Sequence, residues 1–441
     1  MKKYKISYYS LGCKVNLYET NAIINKFIDN GFELVDFHDK NNPCDVCIIN
    51  TCTVTQTSDS KSRKIIRQAI HNNPDAVICV MGCYSQLNHQ EASNIDGVSI
   101  VTGTSNRSMI YDLVIDKLNA SIKEVIDITQ SYDEINCYEN LSVQRFNDRT
   151  RGFVKVQDGC ENFCSYCTIP FSRGKFRSRD KDEIIKEIQE LTNAGMKEIV
   201  LTGINTGAYG LDLNNYSFSK LLSEIAEKVE NLGRIRISSI EATEVNDDLL
   251  NVIKENIGSF CMHLHIPLQG GCDETLLRMN RKYDTKYFKE KIDKIRKMFP
   301  NINITTDYLA GFSGETEEDF LKAYNFVKEI SFGEMHVFPY SPRPKTKAYS
   351  IKERVDSITK KYRVNELLNL NEINALEYRE IFLNKKIDCL VEKIVNKVAY
   401  GHSSNYLEIA FDVTNNNVQV GEIVDVIITS VGYPLCKGVK I

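Results

Sequence analysis

The sequence predicts an α/β protein built from three parts: an N-terminal α/β domain with a parallel sheet, a central partial (β/α)6 barrel, and a small C-terminal antiparallel β-barrel. Two successive series of alternating strand and helix patterns predict the first two parts, because such alternation is typical of parallel sheets covered by helices. From about residue 378, period-two alternation without helices predicts the third part. We expect domain limits at 1–145, 146–376 and 377–441, and a length of 441 residues fits about three domains.

The composition is that of an ordinary globular protein, with 42% hydrophobic and 26% charged residues. The opening MKKYKISYYS is not followed by an apolar stretch suited to a signal peptide or a membrane span. We therefore expect a cytoplasmic protein that does not associate with membranes. The net charge of −4 gives no general argument for a polyanionic partner, and nucleic-acid binding would depend on local patches. Fourteen cysteines are many for a reducing compartment, which favours metal, iron–sulfur or catalytic chemistry.

Three cysteines of the first part directly follow strand candidates. Cys13 follows KISYYSLG, Cys52 follows DVCIINT, and Cys83 follows AVICVMG, each shortly before a helical pattern. The carboxyl ends of parallel strands share the edge of the sheet at which ligands bind. We therefore expect these thiols to meet at one point, although they lie tens of residues apart.

Other cysteines of this region have a simpler interpretation. Cys47 and Cys79 lie inside apolar runs and are expected to be small core residues. Cys44 and Cys47 imitate a C-x2-C metal pair, yet Cys44 lies at the strand entrance, away from Cys52, which disfavours a ligand role. Cys137 lies in a polar linker and is predicted to be an isolated thiol.

The second series contains six strand candidates, at residues 153–157, 198–203, 234–239, 262–268, 303–311 and 334–341. Between them lie helical segments such as DKDEIIKEIQELTNAG, with Asp180 placed to cap its start and Gly195 to end it. Six such units predict an incomplete barrel, whose sites gather at the carboxyl ends of the strands. His263 and His265 alternate on the fourth strand, which allows one of them to face the lumen, but a core role is favoured for both.

The most informative stretch is DGCENFCSYCTIP, in which Cys160, Cys164 and Cys167 form C-x3-C-x2-C. Three thiolates this close on one loop can hold three irons of a four-iron cluster and leave the fourth iron open to a small molecule. A zinc site would need a fourth Cys or His at matching spacing, and none is nearby. Three unrelated core cysteines are disfavoured, because the loop is polar and the spacing is tight.

This triplet at the end of a first barrel strand resembles the radical S-adenosylmethionine (SAM) superfamily. The resemblance implies that the open iron chelates SAM and that the reduced cluster cleaves it to a 5′-deoxyadenosyl radical. It also implies SAM contacts in the triplet loop and at other strand ends, namely at Phe163, Tyr166, Thr202, Gly203, Ser239, Glu241, Gln269 and Gly311, with Gly314 nearby. No catalytic side chain is predicted beyond the cluster ligands.

The loops GCKVN, NTCTVT and MGC, together with the triplet, resemble the methylthiotransferase family over essentially the whole chain. The resemblance implies that Cys13, Cys52 and Cys83 bind a second [4Fe-4S] cluster, and that the C-terminal part is a TRAM-like RNA-binding domain. It implies a reaction with two molecules of SAM, one as methyl donor and one as radical source, in which a methylthio group is transferred to carbon.

Within the family, SLGCKVNLYET and INTCTVTQTSDSKSR look like the MtaB type, which acts on N6-threonylcarbamoyladenosine at position 37 of tRNA. The MiaB type, which acts on isopentenyladenosine, tends to read FGCQMN and NTCAIR, and the RimO type, which acts on a ribosomal protein, reads LGCPKN and NTCG. Both remain alternatives. One departure is LQGG, ending at Gly271, where the family usually reads LQSG; it removes a hydroxyl expected near SAM and leaves the class unchanged.

The predicted partners are the anticodon stem-loop of tRNA, a low-potential electron donor such as flavodoxin or ferredoxin, and a sulfur donor, and we expect a monomer. Two basic runs are candidates for phosphate contacts, which would dominate affinity without reading sequence. They are Arg173, Lys175, Arg177 and Arg179 after the triplet, and Lys61, Arg63, Lys64 and Arg67 after Cys52. A solvated helix face explains the second run equally well. Two other classes stay open: a two-cluster electron carrier, and an RNA-binding module with structural cysteines.

Overall fold

The computed structural model describes residues 3–120, 124–143, 146, 149–414 and 417–441. Its first part alternates strands and helices as predicted: β1 Lys5–Ser10, α1 Lys14–Asp29, β2 Glu33–Leu34, β3 Val46–Thr51, α2 Gln56–Asn72, β4 Val77–Gly82, α3 Cys83–Leu87, α4 His89–Ser93, β5 Ile100–Val101, α5 Ile110–Ala120 and β6 Ile126–Asp127. The strands form one parallel sheet in the order β2-β1-β3-β4-β5-β6.

The central strands of this sheet are buried at every position of β3 and β4. Their sequences, VCIINT and VICVMG, are nearly continuous apolar runs, as expected where helices cover both faces of a parallel sheet. The register pairs Ser10 with Asn50 and Thr51 with Gly82. The loops after β1, β3 and β4 therefore leave the sheet at the same edge and level.

The central part is the partial barrel. Its elements are β7 Arg151–Asp158, α6 Ile169–Arg173, β8 Arg177–Ser178, α7 Lys181–Asn193, β9 Glu198–Gly203, α8 Phe218–Lys228, β10 Arg234–Ile237, α9 Asp247–Glu255, β11 His263–His265, α10 Asp273–Arg278, α11 Thr285–Met298, β12 Asn303–Ala310, α12 Glu317–Ile330 and β13 Glu334–Pro339. Parallel pairing joins β7, β9 and β10 on one side and β11, β12 and β13 on the other. The bridge from Ser239 to His265 connects the two groups, so the six predicted strands form one curved layer.

Local signals in the sequence explain several boundaries. Asp180 accepts hydrogen bonds from the backbone of Asp182 and Glu183 and so caps α7, as predicted. Gly195 follows the helix with a φ of +95°. The short β8 is the one antiparallel strand in this group, and it returns the chain beside the end of β7.

The C-terminal part begins after α13 Ser357–Glu380. It contains β14 Lys386–Val395, β15 Val398–His402, β16 Glu408–Asp412, β17 Ile423–Ser430 and β18 Leu435–Lys440. These strands close into a barrel in the order β14-β15-β16-β18-β17. The pairing is antiparallel, as predicted, except between β16 and β18, which are parallel. An odd number of strands cannot close into a ring with every neighbour antiparallel, so one parallel pair is unavoidable.

The predicted domain limits remain predictions. Residue 145 lies outside the described residues, and the limit at 376/377 falls inside α13. In the part of the chain that the structure describes, no helix combines the length and the apolar character needed to cross a membrane.

Candidate active site: two cysteine loops and the cavities between them

The three N-terminal cysteines lie at one edge of the first sheet. Cys13 directly precedes α1, Cys52 follows β3, and Cys83 begins α3. A Cβ at Gly12 would lie 3.2 Å from the Sγ of Cys52. Cys83 also lies within electrostatic range of both Cys13 and Cys52. The structure thus brings together the three thiols that the strand ends predicted, with Cys13 exposed and the other two buried.

The cysteine triplet lies on the loop after β7 and lines a space of about 180 Å³, called the triplet cavity below. Its lining includes the three cysteines and five of the predicted SAM contacts: Cys160, Cys164, Cys167, Phe163, Tyr166, Ser239, Glu241 and Gln269. The other three predicted contacts lie outside this lining. Thr202 is buried within β9 beside Gly203, and a Cβ at Gly311 would lie 2.8 Å from the side chain of Lys360.

Arg281 is a further residue of the triplet cavity, which the sequence pattern did not reveal. Its guanidinium donates to Glu241, at 3.2 Å from Nη1 to Oε1, and lies 3.4 Å from the Sγ of Cys164. The side chain of Arg281 is buried, and burial by itself would lower its pKa. The carboxylate of Glu241 outweighs this effect and raises the pKa well above the usual range. Arg281 therefore connects a predicted SAM contact to the cysteine loop.

Arg173 connects the two cysteine loops. It ends α6, shortly after the triplet, and is completely buried. Its Nε donates to the Sγ of Cys83 at 3.4 Å, and its Nη2 donates to the Oδ1 of Asn16 at 2.7 Å. The same Asn16 oxygen lies 3.8 Å from the Sγ of Cys13. One guanidinium thus fixes the triplet loop against two of the N-terminal cysteines.

Buried carboxylates balance the charge of Arg173. Glu19 accepts from Arg173 at 2.5 Å and from Lys155 at 2.8 Å, and Asp158 accepts from Lys155 at 2.6 Å. Arg107 also pairs with Glu19. Although burial alone would raise it, these cations lower the pKa of Glu19 to about 2, so the carboxylate stays ionised. We call Glu19, Arg107, Lys155, Asp158 and Arg173 the buried ion network.

Two further cavities lie beside the triplet cavity and the Cys13 loop. The histidine cavity, of about 280 Å³, is lined by His265 and His336. The Cys13 cavity, of about 340 Å³, is lined by Cys13. The three spaces adjoin, since neighbouring cavities share lining residues: Ser239 for the triplet and histidine cavities, and Lys14, Arg236 and Tyr406 for the histidine and Cys13 cavities. They lie in series from the triplet to Cys13.

Three side chains converge in the histidine cavity. The Nε2 of His265 lies 3.4 Å from Asp307, and its ring stacks on His336 with centroids 5.8 Å apart. Thr305 holds the other ring nitrogen of His265 at 2.9 Å. His263 is buried, as favoured, and His265 is half-buried; both line the cavity, and both contact the hydroxyl of Thr305 at 2.9 Å.

Two family models match the chain: the radical SAM superfamily over residues 154–327, and an uncharacterized protein family, UPF0004, over residues 5–103. The chain is 44% identical over 98% of its length to the threonylcarbamoyladenosine tRNA methylthiotransferase MtaB of Bacillus subtilis (strain 168), of which it covers 95%. It is 36% identical over 96% of its length to the MtaB of Aquifex aeolicus (strain VF5), of which it covers 100%. The chain belongs to the radical SAM tRNA methylthiotransferase family, and to its MtaB type.

This methylthiotransferase also resembles a relative with another named product. It is 34% identical over 87% of its length to the tRNA-2-methylthio-N(6)-dimethylallyladenosine synthase of Thermoanaerobacter pseudethanolicus (strain ATCC 33223 / 39E), of which it covers 81%. Among solved structures it is similar to the radical SAM methyltransferase TsrM of Kitasatospora setae, with a TM-score of 0.59 and 13% identity, over 79% of this chain and 77% of that one. At this identity the likeness shows the fold alone. The predicted fold class and enzyme class are confirmed.

The cysteines of this methylthiotransferase suit clusters better than single ions. One tetrahedral zinc ion holds its sulfur ligands about 4 Å apart. Among the described residues, neither trio has all three sulfurs within 4.8 Å of one another. A four-iron cluster binds each thiolate to a different iron and therefore spaces them more widely. Burial raises the pKa of the Cys160 thiol to about 12, so metal binding would release its proton.

The phosphate-contact interpretation is wrong for three arginines of the first basic run. They are buried and paired: Arg173 in the buried ion network, Arg177 with Asp158, and Arg179 with Glu187. Spacing along the chain does not reveal which carboxylates lie opposite. Exposed positions of the two runs are Lys175, Lys61, Lys64 and Arg67, whereas Arg63 is half-buried beside Glu91.

Proposed function

We propose that this methylthiotransferase transfers a methylthio group to C2 of N6-threonylcarbamoyladenosine at position 37 of tRNA, next to the anticodon. One [4Fe-4S] cluster is held by Cys160, Cys164 and Cys167, and a second by Cys13, Cys52 and Cys83, with two molecules of SAM used per turnover. The series of adjoining cavities that separates the triplet from Cys13 carries the proposal. When bound, the clusters and SAM supply the radical and sulfur chemistry that an unactivated C–H bond requires and that side chains lack.

The chain's own residues bind, orient and enclose the reactants. Arg173 holds the two cysteine loops in a fixed relation, and Arg281 holds Glu241 at the triplet. Tyr166 lines the triplet cavity and packs against Phe312 with ring centroids 6.3 Å apart. Aromatic walls exclude water, and a closed site is needed because a primary radical reacts with whatever it meets.

Two considerations favour threonylcarbamoyladenosine as the substrate. The loops around Cys13 and Cys52 are of the MtaB type, and a relative that carries this name is 44% identical to the chain. The second candidate substrate is dimethylallyladenosine, named for a relative that is 34% identical. Both place the reaction on the same adenine, and they differ in the group attached to N6.

The proposal includes partners and a location. The C-terminal barrel is a TRAM-like RNA-binding domain, and exposed Lys61, Lys64 and Arg67 on α2 contact phosphates of the anticodon stem-loop. A low-potential donor such as flavodoxin or ferredoxin supplies electrons, and a separate donor supplies sulfur. The enzyme acts as a cytoplasmic monomer.

Mass spectrometry of tRNA nucleosides tests the substrate. Cells that lack the gene should lose 2-methylthio-N6-threonylcarbamoyladenosine and regain it when the gene is restored. Loss of the dimethylallyl product instead would establish the second candidate. If neither nucleoside changes, both tRNA assignments are wrong, and a ribosomal protein becomes the target to examine.

Iron analysis tests the two clusters. The anaerobically reconstituted protein should hold about eight irons per chain. Cys13→Ala should lower the iron content to about four per chain and should not change the formation of 5′-deoxyadenosine from SAM. Cys160→Ala should abolish that product. Cys79→Ala is the matched control, because Cys79 is a buried thiol within β4. Unchanged iron in Cys13→Ala would show that Cys13 is not a ligand.

A further inference from the structure

Charged residues are concentrated where the histidine and Cys13 cavities join. Three arginines at the starts of β7 and β10 are paired with three carboxylates. The arginines are Arg151, Arg234 and Arg236, and the carboxylates are Glu198, Glu392 and Asp388. These six charges balance one another, so they leave no cation free for a ligand.

Lys14 is a further cation beside these three arginines and three carboxylates. It directly follows Cys13, is exposed to the cavity, and lines both the Cys13 and the histidine cavity. Among the described residues, none pairs with its ammonium or accepts a hydrogen bond from it; Glu198 acts on it only at longer range, and is already paired with Arg236 at 2.6 Å. An ammonium that faces a cavity without a counter-charge is free to pair with a bound anion.

The acidic groups of the histidine cavity are already occupied by other partners. Asp307 faces His265, at 3.4 Å, and Glu334 pairs with Arg379 at 3.3 Å. The unbalanced charge at the junction is therefore positive. It lies at Lys14, and Arg149, which lines the Cys13 cavity but not the histidine cavity, adds to it.

We infer that Lys14 binds the carboxylate of the threonylcarbamoyl group and thereby selects this substrate, with Arg236 beside it. The inference rests on the proposed function. The threonyl group is attached through N6, on the same Watson–Crick edge of adenine as C2. If C2 is presented to the cluster loops, the carboxylate lies close to that edge, and the residue after Cys13 is in position to receive it.

The same charge disfavours the second candidate substrate. A dimethylallyl group is apolar and would cover the ammonium without pairing with it. A site built around a polar partner rejects an analogue that lacks it, because the buried group is then left unsatisfied. Lys14 is accordingly a specificity-determining residue.

The test compares three anticodon stem-loops that differ only at the modified adenosine: the threonylcarbamoyl form, its neutral methyl ester, and the dimethylallyl form. Their dissociation constants and kcat/KM are measured with the wild-type holoenzyme and with Lys14→Gln, which removes the charge. Lys14→Arg keeps the charge, and Lys254→Gln is the matched control, since Lys254 is exposed on α9.

The wild-type enzyme should bind the acid about tenfold to a hundredfold more tightly than the ester, the range of a charge-assisted hydrogen bond. In Lys14→Gln this ratio should fall to about one, while Lys14→Arg and Lys254→Gln should keep most of it. The acid-to-ester ratio compares two ligands on the same preparation of each variant. A difference in cluster content between variants therefore does not affect it. An unchanged ratio in Lys14→Gln overturns the inference about Lys14 but not the proposed function. A wild-type enzyme that methylthiolates only the dimethylallyl form overturns the proposed function, and the inference with it.

Discussion

Single glycines shape the loops that carry the cysteines. Gly82 ends β4 directly before Cys83 and has a φ of +104°, a left-handed conformation that L side chains rarely adopt. A Cβ at this position would lie 2.3 Å from the Oδ1 of Asn50 and 2.5 Å from the backbone oxygen of Thr51. Both the backbone angle and the available space therefore require glycine here.

Gly82→Ala tests this requirement against a matched glycine. Gly195, after α7, has a similar φ of +95°, but a Cβ there would have no atom within 4 Å. We expect Gly195→Ala to cost about 1 to 2 kcal/mol of unfolding free energy from backbone strain alone. Gly82→Ala should cost about 1 to 3 kcal/mol more, because neighbouring backbone must move. Urea denaturation measures both, and equal losses would contradict the steric argument.

At the scale of elements, β9 and β10 hold the C-terminal barrel against the central one. Glu198, the first residue of β9, pairs with arginines on β7 and β10. Arg234 continues to Asp388 on β14, and Arg236 donates to the backbone oxygen of Ser403 at 3.1 Å. Glu198 thus holds the three arginines, two of which reach Glu392 and Asp388 of the C-terminal barrel.

The pKa of Glu198 predicts a pH dependence of stability. Burial alone would raise it, but Arg236, Arg151 and Arg234 lower it from 4.5 to about 2. Between these values the unfolded chain binds more protons, so this contribution is complete above about pH 4.5 and is lost as the pH falls toward 2. The lowering corresponds to about 3 kcal/mol.

Urea midpoints measured from pH 6 down to pH 3 test this dependence. Glu198→Gln should be less stable at pH 6 and should lose less stability on acidification than the wild-type protein. Glu227→Gln is the control, because Glu227 is exposed on α8. Parallel pH profiles for the wild-type protein and Glu198→Gln would show that Glu198 does not carry the effect.

At the scale of the whole molecule, buried charges cross both boundaries between the three parts. Glu19 on α1 pairs with Lys155 on β7 and with Arg173 on α6. Arg343, after β13, pairs with Asp59 on α2 at 2.7 Å across the same boundary, and Arg234 on β10 pairs with Asp388 on β14 across the second. Separating the parts would remove the partners of these charges. Unfolding of one part therefore destabilises the part beside it.

We therefore expect one cooperative unfolding transition in calorimetry and in far-ultraviolet circular dichroism. Glu19→Gln should shift the whole transition downwards, by about 3 to 5 kcal/mol of unfolding free energy, because it removes the charge of one of the two buried carboxylates, the other being Asp158, that three buried cations share. Resolved transitions for separate parts in the wild-type protein would contradict this coupling.

Much of the fold and of the candidate site could be predicted because it depends on local patterns. The alternation of strands and helices, the cap at Asp180 and the triplet spacing are all visible within short windows of sequence. The meeting of Cys13, Cys52 and Cys83 also followed from local signals, since parallel strands necessarily end at one edge. That these cysteines bind a cluster stays a prediction.

By itself, then, the sequence determined the order of the elements, the places where the cysteines leave the strands, and the family. Only the tertiary structure decided which charges pair. It buried Arg173 between the two loops, turned His265 toward Asp307, and left Lys14 without a counter-charge in the cavity. The physical reason is range: backbone periodicity is set by neighbours along the chain, whereas the partner of a charge is set by which distant segments the fold brings within a few ångströms.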